Sequence, residues 1–334
     1  MDDVQFDRLA KRLGHRASRR HLLGTLLTVL PLGGTAAVLR EAEVARGLGN
    51  VAGIGGHRRH RQHPPHHQRH HHRHHHRHHH PDHDHHHHAK PCDAADAPCS
   101  ATTACCSGVC TCGTNPEAGH CQGPFRQGFE TDTSGWSEVT RVASGTAGIP
   151  AQQGDFYGEA ADGAFTRWGG YSPLFPSGGY TTSIAIYLDV DADVADDTRF
   201  DWSSAVSTPE CGFRRDFVFN VGFYTGTQTC AIGTGRRFVI SASNNASRSG
   251  ANPCNAGQEP ITVATTGWYT FTHRFADSGG VLDATLTVQG AGVTQSWTLS
   301  DPSDVIGSTV GGNRYGWFVI QEFPLLGIDS SARQ

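Results

Sequence analysis

From Phe129 to the end of the chain, helical periodicity is absent. Short runs with β-branched, aromatic or alternating residues recur instead. They are Ser183-Ile184-Ala185-Ile186-Tyr187-Leu188, Asp216-Phe217-Val218-Phe219-Asn220-Val221, Arg237-Phe238-Val239-Ile240-Ser241, Trp268-Tyr269-Thr270-Phe271-Thr272, Ala284-Thr285-Leu286-Thr287-Val288 and Trp317-Phe318-Val319-Ile320. Clusters of Gly, Asp, Asn and Pro separate them. Period-two runs bounded by turn residues predict an all-β domain, an antiparallel sandwich or barrel. All six Trp of the 334-residue chain follow residue 130. One core therefore spans about 210 residues, long enough to bury roughly 70% of its unfolded surface without a staple.

The charge is unevenly spread. From Gln122 onward there are 12 Arg, no Lys and 21 Asp plus Glu, a net of −9. Residues 57–90 carry seven Arg or Lys and two Asp. An acidic globule on a basic tether argues against nucleic acid as the partner of the globule.

Residues 8–20 hold six Arg and Lys and end in Ser18-Arg19-Arg20-His21-Leu22-Leu23. A moderately apolar stretch follows, broken by Gly24, Pro31, Gly33 and Gly34. This arrangement resembles a twin-arginine export signal over residues 1–45, read through Arg19 and Arg20. The resemblance implies an extracellular or cell-surface protein, touching the membrane only through an uncleaved signal. As a membrane span the stretch is poor, because Pro and Gly interrupt it.

Residues 46–90 form a low-complexity linker. Nineteen of the 23 His lie between His57 and His88, in runs such as His70-His71-His72, His74-His75-His76 and His85-His86-His87-His88. With almost nothing apolar to bury, this segment is expected to be disordered. Clustered imidazoles capture zinc, nickel or copper in shifting sets. The tract also reads as a pH-dependent polycation or a plain spacer.

Residues 91–121 contain Cys92, Cys99, Cys105, Cys106, Cys110, Cys112 and Cys121. A segment this short needs bridges to hold a fold. A zinc site with His120 is the rival reading, but zinc modules favour two-residue gaps between paired ligands. Six cysteines allow 15 connectivities. The adjacent pair and its flanking spacing resemble the cystine-knot miniproteins. That resemblance implies Cys92–Cys106, Cys99–Cys110 and Cys105–Cys121, with Cys112 able to replace Cys110.

In residues 122–334, Gly128-Phe129-Glu130, Ser134-Gly135-Trp136 and the stretch Gly267-Trp268-Tyr269-Thr270-Phe271 through Asp277-Ser278-Gly279-Gly280 to Leu286-Thr287-Val288-Gln289-Gly290 resemble concanavalin-A-like and laminin-G-like domains. The resemblance implies an antiparallel jelly-roll β-sandwich. Glucanases of that class carry Glu-x-Asp-x-x-Glu on one strand. Here Glu130-Thr131-Asp132 is followed by Gly135, which counts against a hydrolase. No nucleophile elbow, zincin helix or phosphate loop is present. His273 reads as a structural histidine beside strand aromatics.

Three further expectations concern this domain. Arg167, Trp168, Tyr171 and Phe175, set among Gly and Pro, offer rings for stacking on sugar faces. Asp189, Asp191 and Asp193 offer hard oxygen ligands for calcium, although no helix-loop-helix calcium motif fits and a solvated acidic turn is the plainer reading. A hairpin turning near residues 230–235 sets Cys211 opposite Cys254 as a disulfide, with Cys230 at its tip, to be linked with Cys112. The sequence thus reads as a secreted or surface-displayed binding protein needing no cofactor. Its leading partner is an extracellular glycan or other polymer. The alternatives are a structural or adhesive protein, a carbohydrate-active hydrolase, and a metal-sequestering protein.

Overall fold

The computed structural model describes residues 123–334, apart from 247, 249, 322, 324 and 325, together with 98–99 and 119–120. The export signal, the histidine tract and most of the cysteine-rich segment lie outside the described residues. From the last of these, strand β1 (Pro98–Cys99) pairs antiparallel with β2 (Gly119–His120).

The remaining thirteen strands form one antiparallel sheet that folds over on itself into a jelly-roll sandwich. They are β3 (Phe125–Gln127), β4 (Trp136–Ala143), β5 (Phe156–Thr166), β6 (Tyr180–Leu188), β7 (Thr198–Ser207), β8 (Phe213–Tyr224), β9 (Arg237–Asn244), β10 (Ile261–Val263), β11 (Gly267–Ser278), β12 (Val281–Gly290), β13 (Val293–Val305), β14 (Asn313–Gln321) and β15 (Leu326–Arg333). Their order is β10-β9-β8-β7-β14-β5-β15-β6-β11-β12-β13, with β4 on β5 and β3 on β15. Each of the six runs picked out by alternation is a strand.

Alternation explains the layering. Tyr269, Phe271, His273 and Phe275 of β11 are buried, as are Leu282, Ala284, Leu286 and Val288 of β12. They meet the inward residues of β8 across the core. Phe219 lies 5.0 Å from Phe271 and 6.2 Å from Trp297, and Phe217 lies 5.5 Å from Phe275, all edge to face. The β11–β12 connection is two residues, Gly279 and Gly280, both at positive φ (66° and 90°). Glycine reaches that conformation without steric cost, and the resulting turn matches the twist of the flanking strands. At one end of the core Trp136, Trp168 and Trp202 pack together with centroids 5.9–6.2 Å apart.

The hairpin register is as expected, but the disulfide is not. Phe217 pairs with Asn244 and Tyr224 with Arg237, which centres the β8–β9 turn near residue 230. The paired region stops there, because β8 begins at Phe213 and β9 ends at Asn244. Asn244 Oδ1 accepts from the backbone N–H groups of Ala246 and Arg248 and turns the chain back. Residues 250–260 then return as a strap over the outer face of β8 and β9. Pro253 closes on Gly222, where a β-carbon would come within 2.8 Å of Pro253 Cγ. Ser241 Oγ donates to Gln258 Oε1 at 3.0 Å, and β10 completes the return by pairing with β9. The strap delivers Cys254 to Cys230, and these two form the disulfide (Cα–Cα 5.6 Å). Neither Cys211–Cys254 nor Cys230–Cys112 is formed. Cys211 is disulfide-bonded as well.

Candidate functional site

The loop expected to present stacking rings is mostly inward. Trp168 is fully buried against Trp136, Trp202 and Phe125, so it offers no face to a ligand. Phe175 is half-buried and packs on Tyr180 at 5.8 Å. Tyr171 is half-buried and lies under two guanidinium groups, those of Arg167 at 5.0 Å and Arg314 at 4.6 Å. Apolar burial wins over exposure here because the loop is stitched to the sheet. Ser172 N–H donates to Asn313 O at 2.9 Å, and Gly312 N–H donates to Ser172 O at 3.0 Å.

The acidic stretch sits in the β6–β7 connection. Asp191 and Asp193 are exposed. Asp189 Oδ1 accepts from Asp191 N–H at 2.9 Å and from the Thr266 hydroxyl at 3.2 Å, which is the geometry of a side-chain-closed turn. Among the described residues no three His, Cys, Asp or Glu side chains converge as metal ligands.

A more coherent constellation lies on the outer face of the β14-β7-β8-β9 layer. Residues of β8 alternate, with Phe217, Phe219, Val221 and Phe223 in the core. Asp216, Val218 and Asn220 therefore point to the opposite face. The register places Phe165, Trp317, Ser203, Val218 and Ser243 in one row across β5, β14, β7, β8 and β9. The next row is Val319, Asp201, Asn220 and Ser241. Trp317 and Val319, both partly exposed, rise at one side. The strap, stapled by Cys230–Cys254, rises at the other. Between them the floor is made of small side chains. Three strand spacings, about 14 Å, separate β14 from β9, and the strap covers part of that span over β8 and β9.

The floor is polar and rich in acceptors. Asn220 Nδ2 donates to Asp201 Oδ1 at 3.0 Å. Asn220 is fully buried, and its Oδ1 has no hydrogen-bond partner among the described residues. At the other end of this line on β8, Asp216 accepts from the Tyr315 hydroxyl. Burial pushes the Asp216 carboxyl up to about 6, against the pull of that hydrogen bond and of the nearby Arg314 charge. The Tyr315 ring packs between Phe165 at 5.3 Å and Phe213 at 6.3 Å, the latter nearly parallel. Tyr315 and Asn220 are both buried, so the ring this face offers outward is the partly exposed Trp317.

Sequence reasoning did not find this site. The one available signal was the alternation Tyr315-Gly316-Trp317, which sets two large aromatics on one face of a strand. His273 behaves as read. It is fully buried among Trp202, Phe219 and Phe275, with Nε2 3.0 Å from Phe217 O.

The fold defines the chain as an antiparallel jelly-roll β-sandwich. No protein-family model matches the sequence, and no curated protein matches it. Among solved structures the chain is similar to winged bean acidic lectin complexed with methyl-α-D-galactose. The two share 11% identity over 63% of this chain and 97% of the lectin, with a TM-score of 0.33. It is similar to the Lotus tetragonolobus seed lectin at 10% identity over 64% and 97%, with a TM-score of 0.31. A third is the CBM2 module of the Lactobacillus casei BL23 phage J-1 evolved Dit, at 11% identity over 63% and 93%, with a TM-score of 0.31.

Proposed function

We propose that the chain is an exported binding protein whose sandwich recognises a glycan or similar extracellular polymer, without chemistry, on the outer face between Trp317 and the 250–260 strap. The observation that carries this reading is the cross-strand row that sets the partly exposed Trp317 beside the small floor residues Ser203, Val218 and Ser243, with Asp201 and Asn220 in the next row. A ring of this kind stacks on the C–H face of a sugar, and carboxylate and amide oxygens take its hydroxyl protons. The Cys230–Cys254 bridge supports an oxidising destination, in keeping with the Arg19-Arg20 signal. In this reading the histidine tract is a tether that captures zinc, nickel or copper.

The test is a glycan array followed by calorimetry on the best ligand. Trp317→Ala is expected to weaken binding at least tenfold with an unchanged melting temperature. Ser203→Trp, which fills the floor, is expected to abolish it. Full binding by both variants places recognition elsewhere, and release of reducing ends from the ligand replaces recognition with hydrolysis.

A further inference from the structure

We propose that the cysteine-rich segment 92–121 docks on the patch formed by Arg167, Tyr171, Phe213 and Arg314, and is stapled there through Cys211. The bridge follows by elimination. Cys211 is oxidised, and the two other cysteines of the sandwich are bonded to each other. The other seven cysteines of the chain lie between Cys92 and Cys121. Taking one of the seven for Cys211 leaves six, an even number able to close among themselves. Forming the bridge joins the Cys211 sulfur to a segment thiol. Two protons and two electrons pass to a disulfide-bearing oxidant, which is reduced to a dithiol.

The turn that carries Cys211 is rigid. Thr208 N–H donates to Gly212 O at 2.8 Å, Cys211 N–H donates to Thr208 O at 3.0 Å, and Arg314 Nη1 donates to Cys211 O. Cys211 itself has a φ of 64°, a left-handed conformation held by these bonds. Its backbone is therefore a fixed anchor, held by Arg314 two residues before Phe213.

The leash points to the same place. Cys121 precedes Phe125 by four residues, which span at most about 14 Å. Phe125 is fixed in β3 by pairing with Arg333, and its ring packs edge-on against Trp168 at 5.9 Å, one residue from Arg167. Both covalent connections to the segment thus leave the sandwich near this patch.

Charge agrees. Residues 91–121 contain Asp93, Asp96 and Glu117 and neither Lys nor Arg. Of the two guanidinium groups over the Tyr171 ring, that of Arg167 is exposed and that of Arg314 is buried beneath the surface. An acidic segment held close to them gains Coulomb energy that solvent only partly screens.

The experiment uses the full chain purified from an oxidising compartment. Non-reducing peptide mapping is expected to recover a peptide containing Cys211 linked to one from residues 92–121, separable by reduction. Cys211→Ser is expected to expose one alkylatable thiol per chain within 92–121. Cys211 found free, paired with Cys230 or Cys254, or paired with a second copy overturns the bridge. Docking is read by hydrogen exchange in the Arg167→Glu variant with its bridges intact. Exchange at residues 168–173 is expected to accelerate at least threefold, and an unchanged rate overturns docking.

Discussion

Gly316 of β14 lies against the indole of Trp202. A β-carbon on Gly316 would come within 2.4 Å of Trp202 Cη2 and 2.7 Å of Trp168 Cζ2. The contact is steric, and it lets two fully buried tryptophans occupy one end of the core. Gly316→Ala is expected to destabilise the fold by about 1–3 kcal/mol, the usual cost of overpacking a core. Pairing it with Trp202→Phe should recover part of the loss. Urea unfolding of the two variants checks this, and an additive, unrecovered loss would contradict the steric account.

The Cys230–Cys254 bridge encloses a chain separation of 24 residues. Closing a loop of that size stabilises a fold by about 3 kcal/mol through the unfolded state. The double variant Cys230→Ser, Cys254→Ser is expected to lose an amount of that order. Its first proteolytic cuts should fall in residues 250–258, the strap that the bridge holds down. Cuts elsewhere would show that the strap is held by Gln258 and Pro253 alone.

Asp216 gives stability a slope with pH. Its carboxyl titrates at about 6 in the fold, raised from 3.8 chiefly by burial. Between those values the folded state keeps a proton that the unfolded chain has released. Stability therefore falls as pH rises from about 3.8 to about 6 and is level above that. Asp216→Asn should remove this slope. The difference between wild-type and variant unfolding midpoints, measured from pH 4 to pH 7, isolates it, and a difference that does not change with pH would refute the assignment.

His273 acts with the opposite sign in an overlapping window. Burial lowers its pKa from 6.5 to about 3, with the Phe217 carbonyl contact opposing. As pH falls through 6.5 the unfolded chain gains a proton that the fold refuses, so stability declines until about pH 3. The two slopes offset each other between about pH 4 and 6 in the intact protein. His273→Gln should unmask the Asp216 slope, so that stability of the variant falls as pH rises from about 4 to about 6. A His273 ring resonance that shifts between pH 5 and 8, identified by its loss in that variant, would contradict burial in the neutral form.

Much of the sandwich was legible in the sequence. Period-two alternation marked β6, β8, β9, β11, β12 and β14, and the β8–β9 register followed from the symmetry of one hairpin. Alternation is a local property, because a strand exposes one face or the other whatever its neighbours are. Which strands lie side by side is not local. The candidate face joins side chains from β5, β14, β7, β8 and β9, separated by up to about 150 residues of chain. Trp168 looked available for a ligand because Gly and Pro surround it, yet the cluster with Trp136 and Trp202 claims its ring. Cys211 and Cys254 are separated by the strap, which folds back where a longer hairpin would have continued. The sequence by itself determined the strands, their inward faces and the demand for oxidised cysteines. Only the tertiary structure decided which cysteines of the sandwich meet, which aromatic is buried and which strands lie side by side, because long-range packing settles each of these.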